Sequence, residues 1–310
     1  MIYRITYLSD GLRVAGYVAL PPGLETTEEE LAAFLRRECG DDGLTAAAAA
    51  CILPAAAEAA KRAAGEAPDY APEEYAAAGT EKPAFSNKAP YPVLVYCRGG
   101  IGRVGRVQLD WLAEFASFGH IVMAPCYRGG ESGVGHDRFG GADLEDSRVA
   151  VRLAKALPWA DPERLAVMGF SRGSVNATDA AVHERASRLV LLGGLSDLAQ
   201  TYEERVDLRR MLKRVVGGSA YKLPEVYRDR SPIHMAREIE CPVLIIHGTQ
   251  DAQVDYGHGE RMYEELLRRN KPASLARLEG FGHHMSHAAR MIVLAGMFRW
   301  LETEIPAPRS

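Results

Sequence analysis

The 310-residue sequence predicts an α/β fold, a doubly wound and mostly parallel sheet that starts with an antiparallel hairpin and carries an inserted helical subdomain. Three observations lead there. Short runs apolar on both faces recur along the chain, as expected of strands covered on both sides. Helix-compatible stretches alternate with them, the rhythm of a βαβ chain. The first twenty residues instead read as two strands joined by Ser9-Asp10-Gly11, where Asp-Gly supplies the positive-φ residues of a tight hairpin turn.

Taken in order, the hairpin strands are expected over 2–8 and 12–20, followed by strands over 92–97, 120–124, 164–168, 188–192, 243–247 and 274–278. Helices are expected over 108–118, 142–157, 173–185, 257–269 and 288–302. Residues 24–89 break the rhythm, being rich in alanine and glutamate. Thr27 with Glu30 forms a capping box, Leu31, Phe34, Leu35 and Cys39 fall at helical spacing, and Gly40 supplies a stop. A second helix is expected from Leu44 to Ala64, kinked at Pro54. The segment is too short to own a core, so the chain reads as one domain over 1–310 with an insertion at 24–89. As a partial lid or a subunit contact, that insertion makes a homo-oligomer one expectation.

Composition narrows the function. Lysine plus arginine (37) against aspartate plus glutamate (41) leaves a net charge of −4, which calls for no nucleic acid. The longest apolar run, Ala46 to Ala57, is shorter than the roughly 20 residues that span a bilayer, so no membrane partner is expected. The N-terminus lacks the pattern of a signal peptide. The five cysteines, at 39, 51, 97, 126 and 241, show no CxxC spacing and read as thiols in a reducing compartment. A cytoplasmic protein is expected.

The chemistry concentrates at Gly169-Phe170-Ser171-Arg172-Gly173, between an apolar strand and a helix-compatible stretch. A serine at the apex of so sharp a turn needs strained backbone angles and small neighbours two residues away, which Gly169 and Gly173 provide. A serine hydroxyl is a weak nucleophile, so a base and an acid should follow in the chain order Ser, Asp, His. Asp251 stands just beyond the strand ending at 247, with Asp255 as its rival. His283 stands in the loop after Gly280 and Gly282, beside the rival His284. The expected roles are Ser171 nucleophile, His283 general base and then acid, and Asp251 orienting the imidazole. The Arg172 N–H and the loop Arg98-Gly99-Gly100 are the candidate oxyanion donors. His284 and His287 would share a helix face, but no third ligand stands at matching spacing, so neither metal nor cofactor is expected. Arg138, Glu131 and the insertion are the remaining candidates for substrate contact.

These residues carry a resemblance. Through SDGLRVAGYVALPPG, PYPVLVYCRGG, YRGGESGVGHDRFGGADLEDS, GFSRGS, YRDRSPIHMAREIECPVLIIHGTQDAQV and GFGHHMS, the sequence resembles the catalytic domain of the prolyl oligopeptidase family of serine peptidases, over residues 1–22 and 90–304. The resemblance implies an α/β-hydrolase fold, a Ser171, Asp251 and His283 triad, an oxyanion loop at Gly99 and Gly100, and a peptide or small ester substrate. Arg98 stands where relatives show histidine. The family's peptidases usually carry a large β-propeller; none is expected from this sequence, and propeller-free relatives often act as esterases. Carboxylesterase or thioesterase activity without peptidase activity, and a non-catalytic binding role on the same fold, are the competing expectations.

Overall fold

The computed structural model describes residues 1–50, 89–102, 104–131 and 133–303. Among them, nine strands form one sheet in the order β3-β1-β2-β5-β4-β6-β7-β8-β9. β1 (Ile2–Ser9) and β2 (Leu12–Ala19) pair antiparallel, and Asp10 and Gly11 adopt the positive φ angles that the Asp-Gly turn demands. β2 lies antiparallel to β5 (Ile121–Pro125), which begins the parallel part. β4 (Tyr91–Cys97) runs between β5 and β6 (Ala160–Phe170), followed by β7 (Arg188–Leu192), β8 (Val243–Gly248) and β9 (Ala273–Leu278), all parallel.

Helices cover both faces, and the strand sequences show why. In β4 every residue is buried, so Val93, Val95 and Cys97 join one core while Leu94 and Tyr96 join the other. On the first face lie α1 (Glu28–Cys39), α3 (Asp143–Ala156), α4 (Gly173–His183) and α9 (Gly257–Arg268), through residues such as Leu31, Val151, Ala177 and Leu266. On the second face lie α2 (Leu109–Ala116) and α10 (His287–Leu301), through Leu112, Phe115 and Phe298.

Two regions depart from the sequence expectation. In the insertion, α1 starts at the capping box of Thr27 and Glu30 and stops at Gly40 with φ 66°, as expected. The helix expected from Leu44 is instead, at its start, strand β3 (Ala46–Ala50), antiparallel to β1 at the sheet edge. Alanine favours a helix only weakly, and the open hydrogen-bonding edge of β1 overrides it, helped by the Glu28 carboxylate accepting the Ala48 N–H. The remainder of that helix lies outside the described residues. The described part of the insertion packs on β1 and lines no wall of the cavity that contains Ser171.

The second departure is the connection from β7 to β8, where the strand and helix pattern assigns nothing. It folds into α5 (Leu198–Glu204), a 3₁₀ turn (Val206–Leu208), α6 (Arg209–Val216), α7 (Pro224–Asp229) and α8 (Pro232–Met235). Asp197 caps α5 by accepting the N–H groups of Ala199 and Gln200. Leu198, Tyr202, Leu212, Val215 and Tyr227 form a third apolar cluster with Phe139, Val175 and Val254, which seats this segment as a cap over the C-terminal ends of the strands. The buried His258 of α9 anchors it, accepting the Ser196 N–H at Nδ1 and facing Glu204 from Nε2 at 3.1 Å.

Candidate active site

In an open α/β sheet the crevice beyond the carboxyl ends of the strands, where the strand order reverses, is the natural place for a site. Here the order β5-β4-β6 places that reversal at β4. The ends of β4, β6, β8 and β9 deliver Gly99, Ser171, Asp251 and His283 to it.

Ser171 follows β6 directly and has φ 55°, a left-handed conformation that costs a side-chain-bearing residue about 1–3 kcal/mol. Its N–H donates to Leu192 O at 3.0 Å, and its carbonyl accepts the Ser174 N–H at 3.1 Å, so both sides of the turn are held. The flanking glycines are required by space. A Cβ on Gly173 would lie 2.0 Å from Cys97 O, and one on Gly169 would lie 2.6 Å from Gly173 O. α4 begins at Gly173 and aims its N-terminus at the serine, a polarity that favours negative charge there.

His283 and Asp251 are paired. Nδ1 of His283 lies 2.7 Å from Asp251 Oδ2, and the other carboxylate oxygen accepts the N–H groups of Gln253 and Val254 at 2.8 and 2.9 Å. Burial pushes the Asp251 carboxyl upward, but the His283 hydrogen bond and these backbone donors outweigh it and leave the group below the usual carboxylate range. The buried His247 donates from Nε2 to Val254 O at 2.9 Å, and burial pushes it below the ordinary histidine value, so it packs as a neutral ring beside the acid. Gly193 sits beside this pair at φ 51°, a left-handed conformation that favours glycine.

The rival assignments go elsewhere. Asp255 accepts the Gly257 N–H at the start of α9. His284 stands against Phe170 and His283, where burial and then the His283 charge push it below the ordinary histidine value. His287 bonds Glu114 at 3.0 Å and does not share a ligand position with His284. Glu131 accepts from Tyr17 and from the Val107 N–H, and neither it nor Arg138 lines the cavity at Ser171.

The N–H groups of Arg172, Gly99 and Gly100 carry no hydrogen bond among the described residues. Two buried arginines hold that loop from behind. Arg98, 2% exposed, donates from Nη1 to Gly99 O and Gly100 O at 3.2 Å each and from Nη2 to Cys126 O at 2.7 Å. Arg172, also 2% exposed, reaches Gly100 O at 3.3 Å and pairs with Asp137 and Asp143. Both guanidinium groups stack on Tyr127. Asp143 accepts three backbone N–H groups besides, so its charge is compensated in spite of complete burial. The sequence points to Arg172 only for its N–H; its side-chain network joins residues from distant segments and leaves no local pattern.

Ser171, Arg172, Gly99, Gly100 and His283 open on one cavity of about 520 Å³. One wall is aromatic, with Trp111 between Tyr96 and Phe170 at 6.1 and 5.1 Å. The other wall comes from the cap, through Thr201, Arg205, Leu208 and Met211. These cap residues escaped the sequence reading, although Leu212, Val215 and Val216 at helical spacing before Gly217 mark α6. Four arginines line the cavity and, among the described residues, no carboxylate does.

The prolyl oligopeptidase family pattern matches residues 107–306, more than half of the chain. The chain belongs to that family. Its architecture is the α/β-hydrolase fold, and it is a serine hydrolase of the peptidase class. It is similar to the uncharacterized peptidase YtmA of Bacillus subtilis, 38% identical over 214 residues that cover 68% of this chain and 83% of that one. In structure it resembles an acylaminoacyl peptidase of Pyrococcus horikoshii (TM-score 0.65, 18% identity, 99% of this chain and 42% of that one). It also resembles a puromycin-hydrolyzing peptidase of Mycobacterium tuberculosis (TM-score 0.65, 22% identity, 97% and 40%). The chain thus spans about four tenths of the length of these two solved proteins.

Burial pushes the Cys97 and Cys241 thiols up to about 12 and Cys126 higher still, which keeps all three protonated and inert. No helix among the described residues is long and apolar enough to cross a membrane.

Proposed function

We propose that the protein hydrolyses peptides or small esters through a Ser171 acyl-enzyme. His283 takes the Ser171 proton as the hydroxyl attacks the substrate carbonyl and returns it to the leaving group; a water molecule, deprotonated by the same imidazole, then releases the acid. Asp251 holds the imidazole with its Nε2 toward the serine and stabilises the cation that forms. The N–H groups of Arg172 and of the Gly99-Gly100 loop receive the oxyanion. The observation that carries this reading is the 2.7 Å Asp251 to His283 hydrogen bond opening on the same cavity as a serine held at φ 55°.

The lining also bears on the substrate. A free amino terminus is recognised by carboxylates, and none lines the cavity among the described residues, whereas the side chains of Arg106, Arg205 and Arg290 do. This favours a blocked or neutral acyl group with an apolar side, and it keeps an esterase reading beside the peptidase one.

Labelling with a fluorophosphonate probe and mapping of the modified residue tests the proposal, with Ser171→Ala alongside. Labelling confined to Ser171 is expected; a folded protein labelled elsewhere or not at all refutes the acyl-enzyme. Comparison of p-nitrophenyl esters with aminoacyl anilides then separates esterase from peptidase.

A further inference from the structure

A second cavity, of about 400 Å³, lies behind the oxyanion loop and shares Arg98 with it. Its walls are unusual in two respects. Gly102, Gly129, Gly130 and Gly135 leave one side bare of side chains. Ile101 and Val215 add an apolar strip, and His136, Arg138 and Arg214 also line it; none of these last three side chains has a hydrogen-bond or ion-pair partner among the described residues. Arg98 also lines it, with both Nη atoms engaged by backbone carbonyls. The single carboxylate in the lining, Asp137, is already engaged, by Arg172 at 2.9 and 2.7 Å and by Arg98 at 3.6 Å. The cavity therefore presents two unpaired guanidinium groups and one imidazole, with no free negative charge to balance them.

We infer that this second cavity binds a small phosphate-class dianion. Guanidinium groups pair with phosphate through two parallel hydrogen bonds each, and a tetrahedral dianion offers enough acceptor positions to meet donors from several directions at once. Glycine-lined backbone lets such an anion approach closely, as a side chain would prevent. The ligand chemistry is shared by inorganic phosphate and a phosphomonoester, and the test separates the two.

The experiment titrates the Ser171→Ala protein with inorganic phosphate, and separately with phenyl phosphate, by calorimetry and ³¹P line broadening at an ionic strength held with potassium chloride. Using that variant frees the result from the acyl-enzyme reading. Saturable binding of one phosphate is expected, weakened at least tenfold by Arg138→Gln with Arg214→Gln and unchanged by Arg237→Gln, which removes an exposed charge elsewhere. Tighter binding of phenyl phosphate would assign the site to phosphomonoesters, and tighter inorganic phosphate to the free ion. Absence of saturable binding overturns the inference, as does equal weakening by Arg237→Gln. Binding abolished by Arg106→Gln with Arg205→Gln, while Arg138→Gln with Arg214→Gln leaves it intact, would put the anion in the catalytic cavity and overturn it too.

Discussion

Arg98→Met is the perturbation that reads the oxyanion loop most directly. Nη1 of Arg98 is shared between two carbonyls and counts as one hydrogen bond, and Nη2 to Cys126 O at 2.7 Å is a second. Two hydrogen bonds from a charged donor are worth about 1.5–3 kcal/mol each, or about 3–6 kcal/mol together. Methionine fills much of the vacated volume and keeps contact with the Tyr127 ring, which the guanidinium now covers at 4.5 Å, and this apolar burial returns about 1–2 kcal/mol. The net loss is then about 1–5 kcal/mol, which a domain near the middle of the usual range of about 5–15 kcal/mol survives. The loop keeps one tie, from Arg172 to Gly100 O, so the effect on kcat should be about tenfold, below the about 10²–10³ of a lost oxyanion donor. Urea unfolding followed by initial rates on a p-nitrophenyl ester measures both. A stability change under about 1 kcal/mol with kcat within twofold would refute the idea that the arginine holds the loop.

Other predictions follow from the same geometry. Ser171→Ala should leave the fold intact and reduce ester turnover below about a thousandth of the parent in initial-rate assays, since only binding and oxyanion contributions remain. His283→Ala should be as damaging and His284→Ala mild; the reverse pattern in kcat would move the base by one residue. Gly169→Ala forces a Cβ to 2.6 Å from backbone atoms of the following turn and should lower the thermal midpoint or prevent folding, whereas Gly280→Ala, with open space around it, costs only its positive φ. Asp251 has a folded-state carboxyl below its unfolded value, so its stabilisation is fully present above the unfolded value and is lost as pH falls through the folded one. The stability gap between the parent and Asp251→Asn, followed by urea unfolding, should therefore narrow below about pH 4.

Much of this protein was legible before any coordinates. Strands such as β4 and β8 announce themselves because burial on both faces selects almost entirely apolar residues, and the Asp10-Gly11 turn and the box at Thr27 and Glu30 state their own geometry through local hydrogen bonds and φ angles. The elbow was readable in part for the same reason: Gly169 is demanded by contacts with Gly173 and Ser174 just beyond Ser171, whereas Gly173 is demanded by the end of β4 at Cys97, a contact between distant segments. Asp251 and His283 are preferred over Asp255 and His284 from chain order and strand ends; what the sequence does not show is the 2.7 Å hydrogen bond between these segments, 32 residues apart.

Where local pattern and tertiary pairing compete, the sequence alone misleads. Ala46–Ala50 reads as helix, yet the open edge of β1 takes it as a strand, because backbone hydrogen bonding to a waiting edge outweighs the small propensity of alanine. The cap is of the same kind: its short helices gain little individually and are held by Phe139, Val175, Val254 and His258, residues drawn from other parts of the chain. The arginine pair behind the oxyanion loop and the cavity beside it are set by charges brought together from 98, 137, 143 and 172, a convergence that exists only after folding. The sequence determined the fold class, the sharp turn at Ser171 and the candidates for its partners, since each leaves a mark in a short stretch of chain. Tertiary structure decided which candidates meet, what covers them, and which charges stay unpaired, since those depend on the summed geometry of segments that the chain order keeps apart.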